Sequence, residues 1–181
     1  MEGAVFRTEK LNAREPDPDN PLLNVLSGEQ RVNGIQLAVT GRITDRWQVL
    51  SSFAYLDGKL ASSQFYPQAV GAQLANVPRN TFNLWTTVAL PWRLTAGAGT
   101  QFVDSRAAST TTPTDPVTGL VKQIPSYWLF NAMASHPLGE RVDLQLNLYN
   151  LANRKYFDEL HPAHVVPGAG FTALVGLNFK F

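Results

Sequence analysis

Arg141-Val142-Asp143-Leu144-Gln145-Leu146-Asn147-Leu148 alternates polar and apolar side chains without a break. Successive side chains of a β-strand point to opposite faces. The stretch therefore predicts a strand with Val142, Leu144, Leu146 and Leu148 on one side and Arg141, Asp143, Gln145 and Asn147 on the other. The end of the chain repeats the pattern, with Phe171, Ala173, Val175, Leu177, Phe179 and Phe181 in one phase and Thr172, Gly176, Asn178 and Lys180 in the other. Further back, Trp47, Val49, Phe53 and Tyr55 share a phase, as do Phe82, Leu84, Thr86 and Val88. Less regular strands are expected over residues 4–12, 32–42, 93–103 and 127–135, giving about eight in all. Gly97 and Gly99 either leave room for something packed on an inward face or mark a bulge.

The connections alternate in length. Strands two and three are joined through Thr44-Asp45, four and five through Pro91-Trp92, and six and seven through His136-Pro137-Leu138-Gly139, all turn-sized. The others run long, over residues 13–31, 57–79, 104–125 and 152–170. Short turns at one end and long loops at the other are the pattern of an outer-membrane barrel, with the turns periplasmic and the loops extracellular.

Alternation alone does not say which face is wet, because a soluble barrel gives the same string. Strand length favours lipid outside, since segments of about 9–11 residues match a tilted strand crossing a bilayer. The apolar phase of the clearest strands carries no formal charge. Trp47, Tyr55, Phe82, Trp92, Phe102 and Phe179 fall near strand ends, where interfacial girdles lie. Phe181 ends the chain without a polar tail.

Composition narrows the function classes. A formal charge of +1 without lysine-rich runs lacks the footprint of a nucleic-acid binder. Zero cysteines exclude a disulfide framework and thiolate metal sites. No stretch approaches the roughly 18 apolar residues of a membrane helix, so strands must do any spanning. Residues 1–10 lack a signal-peptide pattern, which fits a piece of a longer protein. No nucleophile with a base, phosphate-binding glycine loop or carboxylate pair supports an enzyme, and no cofactor is implied.

Four phrases resemble the TonB-dependent siderophore receptors. Asn76-Val77-Pro78-Arg79-Asn80-Thr81-Phe82-Asn83-Leu84-Trp85 is similar to a proline-led strand start in that family, and Asn147-Leu148-Tyr149-Asn150-Leu151-Ala152-Asn153-Arg154-Lys155-Tyr156-Phe157 to its penultimate strand and exit. Pro167-Gly168-Ala169-Gly170 with the strand to Phe181 resembles the closing strand, and Gly28-Glu29-Gln30-Arg31-Val32-Asn33-Gly34-Ile35 an earlier strand start. His161, His164 and Pro167-Gly168 look most like the ferric catecholate branch, although Phe171 stands where many members carry arginine.

The resemblance implies an all-β fold in which residues 1–181 supply about eight antiparallel transmembrane strands from the C-terminal part of a barrel of about 22 strands. The plug domain and the segment that contacts TonB would lie outside these residues. It also implies uptake of a ferric siderophore, contact with outer-membrane lipid, and recognition by the barrel assembly machinery through Phe179 and Phe181. An anionic, aromatic iron complex calls for cations and aromatic rings at the barrel mouth. Arg79, Arg154, Tyr156, His161 and His164 are the candidate ligand contacts, with Lys59, Tyr66, Arg106 and Lys122 in neighbouring loops. His161 and His164 could chelate a metal by spacing, but Pro162 disfavours the turn that would align them, and no metal site is assigned. The alternative is a self-contained eight-stranded outer-membrane barrel with a structural or surface-interaction role.

Overall fold

The computed structural model describes residues 1–20, 22–110, 119, 122–160 and 164–180. Its strands in chain order are β1 (Glu2–Pro16), β2 (Asn24–Thr44), β3 (Trp47–Ser62), β4 (Asn80–Ala89), β5 (Thr95–Val103), β6 (Arg106–Ala107), β7 (Gln123–Ile124), β8 (Tyr127–Pro137), β9 (Val142–Tyr149), β10 (Phe157–Leu160), β11 (Val165–Pro167) and β12 (Thr172–Phe179). Eight of them form one sheet in the order β1-β2-β3-β4-β5-β8-β9-β12. Every neighbouring pair is antiparallel. Among the described residues β1 and β12 are edges and do not pair with each other, so the sheet is open. The pairs β6/β7 and β10/β11 are small separate hairpins.

Register assigns the faces, because directly paired residues share a side. Leu148, Leu146, Leu144 and Val142 of β9 pair with Ala173, Val175, Leu177 and Phe179 of β12. Carried across the sheet, the same phase holds Trp128, Phe130, Phe102, Leu84, Phe82, Phe53, Val49, Trp47, Leu37 and Ile35. Val175, Phe179 and Leu177 are 71%, 60% and 53% exposed. A continuous apolar surface of this kind suits lipid and not water. Phe53, Phe82, Phe102 and Trp128 pair in sequence across four strands, forming an aromatic row toward the loop end. Trp47 lies toward the turn end, its Nε1 donating to Thr86 Oγ1 at 2.6 Å. Trp47 and Tyr55 are eight positions apart on β3, which at about 3.3 Å per residue and a tilt of about 40° spans about 20 Å of membrane.

The opposite phase is largely polar and includes Gln36, Gln48, Asn83, Gln101, Asn131, Gln145 and Asn147. The Trp85 indole lies against Gly97 and Gly99 on this side; a Cβ on Gly99 would collide with it, and a Cβ on Gly97 would meet Met133 at 2.8 Å and press on the indole at 3.1 Å. The register through β4 and β5 is unbroken, so the glycines mark no bulge there. The space they leave is filled by Trp85, an aromatic ring covering bare backbone.

Two sequence expectations need correction. Connections 13–31 and 57–79 are shorter than expected, because β1 continues to Pro16, β2 starts at Asn24 and β3 continues to Ser62. Beyond the aromatic row the outward phase becomes charged, with Arg7, Glu9, Arg31 and Lys59, while backbone pairing continues. Alternation of apolar and polar side chains stops at the membrane boundary, but the hydrogen-bonded ladder does not. The turn placed at residues 136–139 also moves, since β8 runs through Pro137 and the reversal is closed by Leu138 N donating to Val142 O at 2.8 Å. At the 91–92 turn, Trp92 and Arg93 both take positive φ, 58° and 59°, as a two-residue hairpin turn requires.

Candidate functional site

Few side chains are well buried, and those that are cluster at the loop end of the sheet. Val103, Tyr127 and Leu129 form one small core with Tyr156 packed on it, and Ala108 and Ile124 form another. Leu60, Leu74 and Ala13 are buried in the same region. The mouth is thus where this chain spends its non-lipid packing, and where a ligand arriving from outside would first meet a shaped surface.

Asparagines build the connection from β9 to β12. Asn150 takes φ 50° and Asn153 φ 46°, positive values that asparagine tolerates better than most residues. Asn150 is 3% exposed, and its Nδ2 donates to the carbonyls of Arg154 and Ala169, both at 2.9 Å. Its Oδ1 accepts Arg154 N at 2.8 Å, and its own N–H donates to Asn131 Oδ1 at 2.9 Å. Asn153 Oδ1 accepts Phe171 N at 3.0 Å. The two side chains tie the exit of β9 to the start of β12. The sequence reading treated them as part of a phrase and missed their role, although two asparagines three apart in a strand exit are a turn signal.

Within this frame the backbone hydrogen bonds of Arg154 are fixed while its side chain is exposed. Tyr156 turns onto the inner face. Its ring lies over Gly168, where a Cβ would strike it, and its centroid is 4.5 Å from that of Tyr127, inclined at 42°. Burial pushes the Tyr156 phenol above its ordinary value, the nearby Asp158 carboxylate adds to the rise, and a backbone hydrogen bond with Ala169 opposes it. Tyr156 is half-buried and packs the ends of the β10–β11 hairpin against the sheet.

His164 is exposed and directly precedes β11. Arg79 is exposed at the start of β4, and its carbonyl accepts Leu56 N at 2.8 Å. Arg154, Tyr156 and His164 thus share one connection, and Arg79 comes from another on the same end of the sheet. His161 and Phe181 lie outside the described residues. Phe179 is in the apolar phase of β12, paired with Val142. Of the neighbouring cations, Lys59 pairs with Asp57 at 2.9 Å. Arg106 is only 9% exposed, and its Nη2 donates to Phe157 O at 3.2 Å, joining the β6 and β10 hairpins. Among the described residues no group of three or more His, Asp or Glu side chains is arranged to hold a metal ion.

Comparison with known proteins agrees with this architecture. Residues 1–151 match the family described as TonB dependent receptor-like, beta-barrel. The chain is 34% identical to the probable TonB-dependent siderophore receptor PiuA of Acinetobacter baumannii, over 100% of its own length and 24% of the relative's. It is 34% identical to the probable TonB-dependent receptor BfrD of Bordetella pertussis, over 98% and 24%. With the catecholate siderophore receptor Fiu of Escherichia coli K12 it shares 26% identity, over 100% and 23%. It therefore spans about a quarter of the length of these curated relatives. The crystal structure of PiuA superimposes with a TM-score of 0.82 over 99% of this chain and 26% of that one. The closed form of Fiu does so with a TM-score of 0.79 over 99% and 25%. An antiparallel sheet with an uncharged apolar phase on one face, long arms at one end and short turns at the other, together with a family match over most of its length, shows that the chain belongs to the TonB-dependent receptor β-barrel family and lies in the outer membrane of a Gram-negative bacterium.

Proposed function

We propose that residues 1–181 are the C-terminal part of the barrel of a receptor that imports ferric siderophores, of catecholate type, and that TonB energises uptake through parts of the intact protein outside these residues. The observation that carries this reading is a match over the full chain to two proteins named as siderophore receptors, one of them for catecholates. The open sheet favours it over the self-contained barrel, because an eight-stranded barrel closes by pairing its first and last strands.

The mouth suits such a ligand chemically. Arg79, Arg154 and His164 are exposed there and offer donors to an anionic complex, and Phe157 adds an apolar surface. His161 belongs to the same connection. Tyr156 acts through its packing, holding the hairpin that carries Phe157 in place. Contact of the outward phase with outer-membrane lipid, and recognition of Phe179 and Phe181 by the barrel assembly machinery, belong to the same proposal.

The test is uptake of radioactive iron, presented as ferric catecholate complexes, by iron-starved cells with and without the gene for the full-length protein. The proposal expects uptake to be lost with the gene, restored by a plasmid copy, and abolished when TonB is removed. Unchanged uptake without the gene, or uptake indifferent to TonB, would overturn it.

A further inference from the structure

Arg106 stands between the two groups of candidate ligand contacts. Arg79 comes from the connection between β3 and β4, and Arg154, Phe157 and His164 come from the connection between β9 and β12. The short strand β6 and its flanks are hydrogen-bonded to both. Ala107 O accepts Asn76 N at 3.0 Å, and Thr110 Oγ1 accepts Ala75 N at 2.8 Å, which holds the stretch leading to Arg79. Asp104 Oδ2 accepts Asn80 Nδ2 at 2.8 Å, and Asp104 N donates to Asn80 O at 3.0 Å, directly after Arg79. On the other side, Arg106 Nη2 donates to Phe157 O at 3.2 Å. Phe157 lies between Arg154 and His164 in the chain, so a hold on its carbonyl is a hold on that connection.

The tie resists opening. Arg106 is buried, and a buried charge is costly unless it is hydrogen-bonded. Its Nε has no hydrogen-bond partner among the described residues, and no carboxylate there forms a salt bridge with it. Its charge also acts on the Tyr127 phenol at the start of β8. The Phe157 carbonyl therefore carries much of what offsets its burial, and pulling that carbonyl away would strand the guanidinium. We propose that Arg106 is the positioning residue of the ferric siderophore site. It does not touch the ligand; it sets the spacing between Arg79 on one connection and Arg154, Phe157 and His164 on the other, so that both connections close on one anionic complex as a unit. This inference rests on the reading of the mouth as a ferric catecholate site.

The experiment titrates iron(III) complexed with 2,3-dihydroxybenzoate into the full-length receptor, as wild type, Arg106→Ala, Arg106→Lys, Arg79→Ala and the R79A/R106A double variant, each checked for heat-modifiable folding. Loss of the charge-assisted bond in R106A should weaken binding by about tenfold or more. R106K should recover part of the loss, because an ammonium can still donate to the carbonyl. In the R79A background R106A should cost several-fold less, since the contact whose spacing it sets is gone, whereas a general loosening would simply add. A parallel measurement follows amide hydrogen exchange with and without the iron complex. In the wild type the complex should slow exchange over residues 104–108 and 157–160 together, and in R106A over 157–160 alone. Wild-type affinity in R106A, full additivity with R79A, or ligand protection of 104–108 that is absent in the wild type or unchanged in R106A would each overturn this inference alone. Failure of the wild type to bind the complex would overturn the catecholate reading together with it. Should R106A fail to fold, R106K and the wild-type exchange arms decide the matter: R106K at wild-type affinity in both the native and R79A backgrounds, without any ligand protection of 104–108, overturns the proposal, and weaker binding with such protection supports it.

Discussion

Leu146→Arg and Gln145→Arg place the same charge on adjacent residues of β9, on opposite faces of the sheet. Leu146 shares its face with Val175 of β12 and Ala134 of β8, and Gln145 shares the other with Gly176 and Ser135. On a strand running Val142–Tyr149, Leu146 is four positions from one end and three from the other. At about 3.4 Å per residue and a tilt of about 40°, it lies roughly 10 and 8 Å along the membrane normal from those ends, near the midplane. An arginine there should cost about 2–4 kcal/mol. Gln145→Arg loses one hydrogen bond, from Gln145 Nε2 to Asn147 Oδ1 at 3.0 Å, worth about 0.5–1.5 kcal/mol. Its guanidinium stays on the polar face, which also carries Asp143. The two variants should therefore differ by about 1–3 kcal/mol, a factor of about 5 to 150 in the folding equilibrium. The assay is urea-dependent refolding of the full-length protein into lipid vesicles, read by heat-modifiable migration. Equal costs, or a greater cost at Gln145, would refute the lipid-facing assignment.

Gly168→Ala should push the Tyr156 ring off Tyr127 and loosen the β9–β12 connection by about 1–3 kcal/mol, seen as faster proteolysis there. The same substitution should cost far less beside Tyr156→Ala, and equal cost in both backgrounds would show that the contact is not what glycine protects. Deleting Phe181 from the full-length receptor should lower the amount of protease-resistant barrel recovered from outer membranes, and unchanged recovery would remove the assembly role assigned to that terminus.

The fold was legible where one side chain in two is apolar and uncharged over a long run. Val142 to Leu148 and Trp47 to Tyr55 read as strands because hydrocarbon tolerates no charge in that phase. The outward phase at Arg7, Glu9 and Arg31 stands in water, where the constraint lapses and the strand signal fades although pairing persists. β6, β7, β10 and β11 have two to four residues each, too few for a period to show. Cross-strand relations were hidden for a different reason: Trp85 over Gly99, or Asn150 bonded to Ala169, joins residues that only register brings together. At the mouth, Arg79, Arg154 and His164 were readable as loop residues with suitable donors. Tyr156 was readable as an aromatic residue of the same connection, but not its packing against Val103, Tyr127 and Leu129, which only the fold brings to it. The buried Arg106, taken for a loop cation, bonds a backbone carbonyl instead.

The central claim, that this end of the sheet forms a ferric catecholate site, is tested most directly by titrating ferric catecholate complexes against the full-length receptor. The comparison is with a variant carrying Arg79, Arg154, His161 and His164 all changed to Ala, with Tyr156 kept so that the hairpin stays packed. Each charge-assisted hydrogen bond lost is worth about 1.5–3 kcal/mol when partly desolvated, so losing even one should weaken binding by about tenfold or more. A correctly folded variant with wild-type affinity would contradict the claim.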